Sequence, residues 1–356
     1  MTSVEIGVQF HLPSHRALPL PEILELAEMA VGGGVSQLWV TDNLQNRNVF
    51  VTLAAIASRV PVKLGAAIMV QYFRNPVDAA GALATVTELM DPSSELCIGI
   101  GRGNIRTSRF LETPMPVSMM RETAQCLRAL FDGDAVDAAG YPTLASYFNY
   151  APEAVFQMNV TPRAPVHIYC GGDGPKSLAL GGEFMDGLLC GTTFYPLTKM
   201  GFLAPLLEVF DAAARGAGKT GPPRRVAEIK VALSRDANVS REFARRGVGS
   251  RVLGLRWRGY TSAQIAPLGI TAEDIDRLEE AARTTGGTSE ELAPLVTDAM
   301  IDAYYVAGDL DYCRERIRDV GDMARSNGFH QVLLSGISSD FRDGIRLLCD
   351  EIMPGL

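Results

Sequence analysis

The chain has 356 residues, of which 47% are hydrophobic and 21% charged, with a formal net charge of −8. An acidic balance without a basic stripe excludes nucleic acid as the main partner, and no apolar run is long enough to span a membrane. The N-terminus lacks a basic region followed by an apolar core and a cleavage site, so a cytoplasmic protein with a small-molecule partner is expected.

Val4 to Phe10 reads as a strand, and Pro21 to Val31 as an amphipathic helix ended by Gly32, Gly33 and Gly34. A second strand, Gln37 to Thr41, carries Asp42 and Asn43 at its end. A helix over Asn48 to Arg59 leads to a third strand, Val62 to Val70, interrupted by the small residues Gly65, Ala66 and Ala67. Pro76 to Met90 is helical, and the fourth strand, Glu95 to Ile100, runs into GRGN. Next come a helix over Met119 to Asp132 and an irregular stretch, Gly140 to Pro162, rich in aromatics and proline. Pro165 to Gly191 then forms one βαβ unit: a buried run Val166 to Cys170, a break on Gly171, Gly172, Asp173, Gly174 and Pro175, a helix start at Lys176 and Ser177, and a buried strand from Gly187 to Cys190. Leu197 to Ala214 is helical and Val226 to Leu233 is strand seven. Asp236 to Thr297 is helical and polar, with Trp257 and Tyr260 as its bulky anchors. Asp311 to Asn327 is a helix, His330 to Leu334 strand eight, and Phe341 to Met353 a closing helix. Eight strands alternating with helices imply an α/β (β/α)8 TIM barrel, a single domain over residues 1–356 with insertions at about 140–162 and 236–297 on the C-terminal face. An open doubly wound sheet is the weaker choice, because no βαβ unit carries the dinucleotide fingerprint.

The glycine turn after Cys170 leaves backbone N–H groups free at a helix N-terminus, where the dipole favours an anion. It serves either as a phosphate seat or merely as a tight βα turn. AARGAGKT, Ala213 to Thr220, matches a P-loop only formally, since a helix precedes it and Gly221, Pro222 and Pro223 follow; it reads as a helix end and basic linker. GIGRGN, Gly99 to Asn104, lacks the dinucleotide spacing and reads as backbone passing close to something flat or bulky. The six cysteines form no CxxC pair, and Cys97, Cys126, Cys170, Cys190, Cys313 and Cys349 read as reduced core residues. No histidines have metal-ligand spacing, so no metal is expected. His167 and His330, within strands, read as satisfied core residues. Gln9, His11, Asp42, Asn43, Asn104, Arg106 and Thr192 fall at strand ends, which in a barrel converge on one mouth. The pattern suits a cofactor that carries the chemistry itself.

The stretches VTDNLQNRNVFVTLAAIASRVPVKLGAAIMVQYFRNP, ELCIGIGRGN, APVHIYCGGDGPKSLALGGEFMDGLLCG and VTDAMIDAYYVAGDLDYCRERI resemble the bacterial luciferase-like superfamily. Within it they are most similar to methylenetetrahydromethanopterin reductase and related oxidoreductases that use the deazaflavin coenzyme F420. The resemblance implies a non-prolyl cis peptide at Ala67 to Ile68 propping the ring, Asp42 beside the ring, and a phosphate loop at Gly172, Asp173 and Gly174. It further places Gly103, Asn104 and Arg106 along the ring's edge, and Cys190, Gly191 and Thr192 in a second loop near the phosphate. His11, Asp42 and Asn43 are the catalytic candidates. Asn43 stands where the family often has a histidine, and an amide is neither acid nor base near neutral pH. The implied reaction is hydride transfer between F420 and a C=C, C=N or C=O bond of a small organic substrate. An FMN-dependent monooxygenase fed by a flavin reductase partner is the alternative, and a homodimer is the assembly common in the family.

Overall fold

The computed structural model describes residues 4–10, 18–45, 47–103 and 111–356. Eight parallel strands close a barrel: β1 (Glu5–Phe10), β2 (Gln37–Val40), β3 (Lys63–Val70), β4 (Leu96–Gly101), β7 (Val166–Cys170), β8 (Gly187–Cys190), β9 (Arg224–Ala232) and β11 (Gln331–Ser335). Closure comes from β8 pairing with β9 and β11 with β1, so the open doubly wound sheet is excluded. Between β4 and β7 lies a two-stranded antiparallel pair, β5 (Val136–Asp137) and β6 (Val155–Phe156). A short strand, β10 (Tyr305–Ala307), adds to the second half of β9, with Tyr305 opposite Lys230.

Helices cover the barrel because the outward residues of each strand are apolar. Ala227, Ile229 and Val231 on β9, for example, join the main helix-covered core, while Val226 belongs to the cluster inside the barrel. That interior is plugged by Trp39 and Tyr169, whose ring centroids lie 6.2 Å apart, among Cys97, Leu189, Val226 and Leu333. Each polar atom brought in with the plug is paired. The Trp39 Nε1 donates to Gln331 Oε1 at 2.9 Å, and Gln331 Nε2 donates to Gln37 Oε1 at 2.9 Å. Glycine makes the room: a Cβ at Gly65 would sit 2.4 Å from the Trp39 ring, and one at Gly187 2.0 Å from Tyr169. At the N-terminal strand ends a charged floor closes the barrel. Glu95 accepts from Arg224 at 2.5 Å and lies 3.6 Å from Lys63, which also reaches Glu5 at 3.0 Å.

Several elements differ from the sequence-based expectation. The Leu197 to Ala214 helix is two helices, Phe194–Lys199 and Leu203–Gly216, broken at Gly201, whose φ of +79° is left-handed. Residues 140–162 are not wholly irregular, since Pro142–Phe148 is a helix with proline at its first position. The closing segment is α-helical only over Phe341–Leu347 and continues as π-helix over Leu348–Ile352. His330 precedes β11 rather than lying in it, and its Nδ1 accepts from the Arg225 N–H at 3.0 Å. Trp257 does not anchor its segment: it is 62% exposed at the end of the Ala237–Trp257 helix, and the apolar face of that helix is Val248, Val252, Leu253 and Leu255. Tyr260 is partly buried, its ring centroid 5.1 Å from that of Phe202. Among the described residues no helix is long and apolar enough to cross a membrane.

Candidate functional site

The β3–β4 ladder shifts register between Ala66 and Met69, and the Ala67–Ile68 peptide is cis. The bulge turns the Ala67 carbonyl toward Gln9 on β1, whose Nε2 donates to it at 2.7 Å. It also lays Ile68 across β4 and β7. A Cβ at Gly99, Gly101 or Gly171 would come within 2.9, 2.5 and 2.7 Å of the Ile68 side chain. The bulky group that the glycine-rich end of β4 must pass is therefore Ile68 of the chain itself. Gly103, with φ of +82°, is the last described residue of that strand end. His11, Asn104 and Arg106 lie outside the described residues.

Asp42 follows β2 and is buried. Its Oδ2 accepts from Arg74 Nη1 at 2.6 Å and from the Val70 N–H at 3.2 Å, while Oδ1 has no partner among the described residues. Burial pushes its carboxyl above the usual value, more than the Arg74 hydrogen bond and charge pull it down. The Thr41 hydroxyl beside it is likewise buried without a partner among the described residues. Arg74, which the sequence reading did not single out, also stacks 5.0 Å from the Phe50 ring centroid. Asn43 is turned into local structure, its Oδ1 accepting the Gln45 N–H at 2.9 Å.

After β7, the Pro175–Phe184 helix begins with proline at its first position and no side-chain cap. The N–H groups of Lys176 and Ser177 lie in the first turn, where a helix has no internal acceptor. Gly172 is required by close packing, since a Cβ there would meet Ser177 at 2.6 Å. Asp173 pairs with Arg258 Nε at 2.9 Å, tying the loop to the end of the Ala237–Trp257 helix. Gly174 is the N-cap, in extended conformation. After β8, burial pushes the Cys190 thiol up to about 12, which makes it an inert core group. Thr192 is half-buried, and a Cβ at Gly191 would lie 3.7 Å from Glu228 Oε2.

A polar group on the remaining wall escaped the sequence reading. Val226 and Leu333 face the barrel interior, so Glu228 and Lys230 on β9, and Ser335 on β11, face the same side one layer nearer the C-terminal ends. The Ser335 hydroxyl donates to Glu228 Oε1 at 2.7 Å and accepts from Lys230 Nζ at 3.2 Å. Burial and then the Arg251 guanidinium push the Lys230 ammonium down to about 8, against the pull of Glu228. The signal was present in the alternation Val226, Glu228, Lys230: two charges on one face of an otherwise buried strand. The Pro142–Phe148 region reaches the neighbouring strand end, where Tyr147 lies 3.4 Å from the Tyr72 carbonyl and Tyr150 donates to Asn75 at 2.7 Å. Among the described residues no group of three or more His, Cys, Asp or Glu could hold a metal ion.

Residues 3–326 match the family described as luciferase-like monooxygenase. The chain is 28% identical over 362 residues to a 5,10-methylenetetrahydromethanopterin reductase of Archaeoglobus fulgidus, covering 99% of this chain and 100% of the relative. It is 24% identical to an F420-dependent glucose-6-phosphate dehydrogenase of Nocardia farcinica, covering 94% of each. Among solved structures, the coenzyme F420-dependent tetrahydromethanopterin reductase from Methanopyrus kandleri has a TM-score of 0.72 at 21% identity, covering 99% of both chains.

Proposed function

Because the chain belongs to the luciferase-like monooxygenase family, we propose that it is an F420-dependent oxidoreductase acting on a C=C, C=N or C=O bond of a small organic substrate. When bound, the deazaflavin gives or accepts a hydride. The observation that carries the reading is the buried Asp42 carboxylate beside the β3 bulge, with Oδ1 unpartnered among the described residues. A buried acceptor without a donor is costly, and an N–H at the edge of a planar heterocycle would supply that donor.

The residues present fit such a group. The Gln9–Ala67 hydrogen bond fixes the bulge against which a flat ring would lie, and Ile68 is held from beneath by three glycines. The Lys176 and Ser177 N–H groups would hold a phosphate. Arg74 fixes the Asp42 carboxylate, so the carboxylate orients a donor rather than swinging freely. Tyr147, Phe148 and Tyr150 pack ring on ring beside the loop that follows β3, with centroids 4.9 and 6.2 Å apart. Asn43 supplies no proton near neutral pH.

The test is a fluorescence titration of the purified chain with F420 and with FMN, each oxidised and reduced. Tight F420 binding with weak FMN binding supports the reading. Preference for reduced FMN, with oxygen uptake, replaces it with a flavin monooxygenase.

A further inference from the structure

Reduction of a C=N or C=O bond needs a proton as well as a hydride, and neither Asn43 nor the inert Cys190 thiol supplies one. Resting on the F420 reading above, we propose that Glu228, Ser335 and Lys230 form a proton relay opening onto the barrel mouth, in which Glu228 exchanges the proton with the substrate.

The geometry sets the order of the relay. Lys230 Nζ donates to Ser335 Oγ at 3.2 Å, and Ser335 Oγ donates to Glu228 Oε1 at 2.7 Å, so one hydroxyl links the ammonium to the carboxyl. Glu228 Oε2 is the free end of this chain: it has no hydrogen-bond partner among the described residues, its side chain is 14% exposed, and it lies 3.7 Å from where a Cβ of Gly191 would be. Lys230 is the inner end, beside a cavity that it lines with Thr192, Tyr195 and Asp302. It is 7% exposed, lies beneath the Tyr305 ring at 5.9 Å from its centroid, and pairs in register with that residue. Two neighbouring strands, β9 and β11, therefore hold the three side chains in fixed positions, as a proton-transfer path requires.

In the reducing direction the substrate carbon takes the hydride, the heteroatom takes the Glu228 proton, and the C=O or C=N π bond breaks. This leaves a C–H bond, an O–H or N–H bond, a Glu228 carboxylate and oxidised deazaflavin. The carboxylate regains its proton from the Lys230 ammonium through Ser335, and Lys230 regains it from water. The oxidising direction reverses each transfer. Ser335 and Lys230 act through Glu228 and are positioning residues. Other charged or titratable groups around the relay, among the described residues, include Cys190, Tyr195, Arg251, Asp302, Tyr304, Tyr305 and Arg316.

The proposal is tested on the full chain by infrared difference spectroscopy across a pH titration, with and without oxidised F420. The Glu228 carboxyl band is assigned by its loss in Glu228→Gln. Its midpoint should rise by about half a pH unit or more when F420 binds, because desolvation disfavours the carboxylate. It should also rise in Lys230→Met, which removes a neighbouring positive charge, and move in Ser335→Ala, whereas Lys230→Arg, which keeps the charge, should leave it near the wild-type value. A midpoint unmoved by F420 overturns the opening onto the cofactor, and one unmoved by Lys230→Met and Ser335→Ala overturns the relay. Failure of F420 to bind is seen separately by fluorescence and overturns the cofactor reading, while the substitution arms still decide the relay.

Discussion

Removing Arg74 probes the site's electrostatics most sharply. In Arg74→Met, the Asp42 carboxylate keeps only the 3.2 Å hydrogen bond from Val70 N–H and loses the 2.6 Å bond and the positive charge. The Asp42 side chain is fully buried and that of Arg74 is 15% exposed, so little solvent replaces the lost partner. Breaking a buried pair by removing one member costs about 3–5 kcal/mol, and the part-exposed arginine places this case near about 3 kcal/mol at neutral pH. Asp42 already has a raised pKa in the folded chain, and loss of Arg74 raises it further. A carboxyl whose folded pKa lies above its unfolded value destabilises fully above the folded pKa, and is relieved as pH falls toward the unfolded value. The difference between wild type and Arg74→Met, measured by urea denaturation, should therefore shrink as pH is lowered from neutral to about 5. Arg74→Met combined with Asp42→Asn should recover most of the loss, because no charge is left stranded. A single-variant loss below about 1 kcal/mol, or one independent of pH, refutes the reasoning.

Gly171→Ala should destabilise by about 1–3 kcal/mol, because its Cβ would lie 2.7 Å from Ile68 and 3.0 Å from the Ile100 carbonyl. Denaturation of Gly171→Ala with and without Ile68→Ala checks this, since the second change should return part of the loss. Burial raises the Glu95 carboxyl, but the His167 hydrogen bond and the Arg224 and Lys63 charges overcome this and hold it at about 2, against 4.5 unperturbed. Its stabilisation is full above about 4.5 and lost as pH falls toward about 2, so Glu95→Gln should flatten the stability profile in that window. Cys190, pushed up to about 12 by burial, should resist iodoacetamide in the native chain and react after unfolding, read by peptide mass mapping.

The barrel was legible because its signal is local and repeated: buried strands, each followed by an amphipathic helix. The β3 bulge was legible as a run of small residues, and Asp42 as a charge directly after a buried strand. Arg74 was not, because its pairing with Asp42 spans 32 residues and exists only once β2 and β3 lie side by side. Glu228 and Lys230 were within reach, since they alternate with Val226 on one face of the strand, but that this face is the inner one is set by barrel closure. Trp257 was misplaced because size alone does not assign burial; position on the helix face does, and Trp257 falls on the outer one. The two-turn helix Pro142–Phe148 falls in a stretch expected to be irregular, although proline at the first position starts a helix. The strand β10 is three residues long and joins β9 through tertiary pairing that no local pattern announces.

The central claim is hydride transfer with a deazaflavin. Its most direct test follows the absorbance of reduced F420 and dissolved oxygen together while the chain is offered 5,10-methylenetetrahydromethanopterin, simple imines, ketones and activated alkenes. The account predicts that reduced F420 is consumed one for one with an acceptor and that oxygen stays constant. Oxygen uptake driven by reduced FMN, with reduced F420 left unchanged by every acceptor, would contradict it.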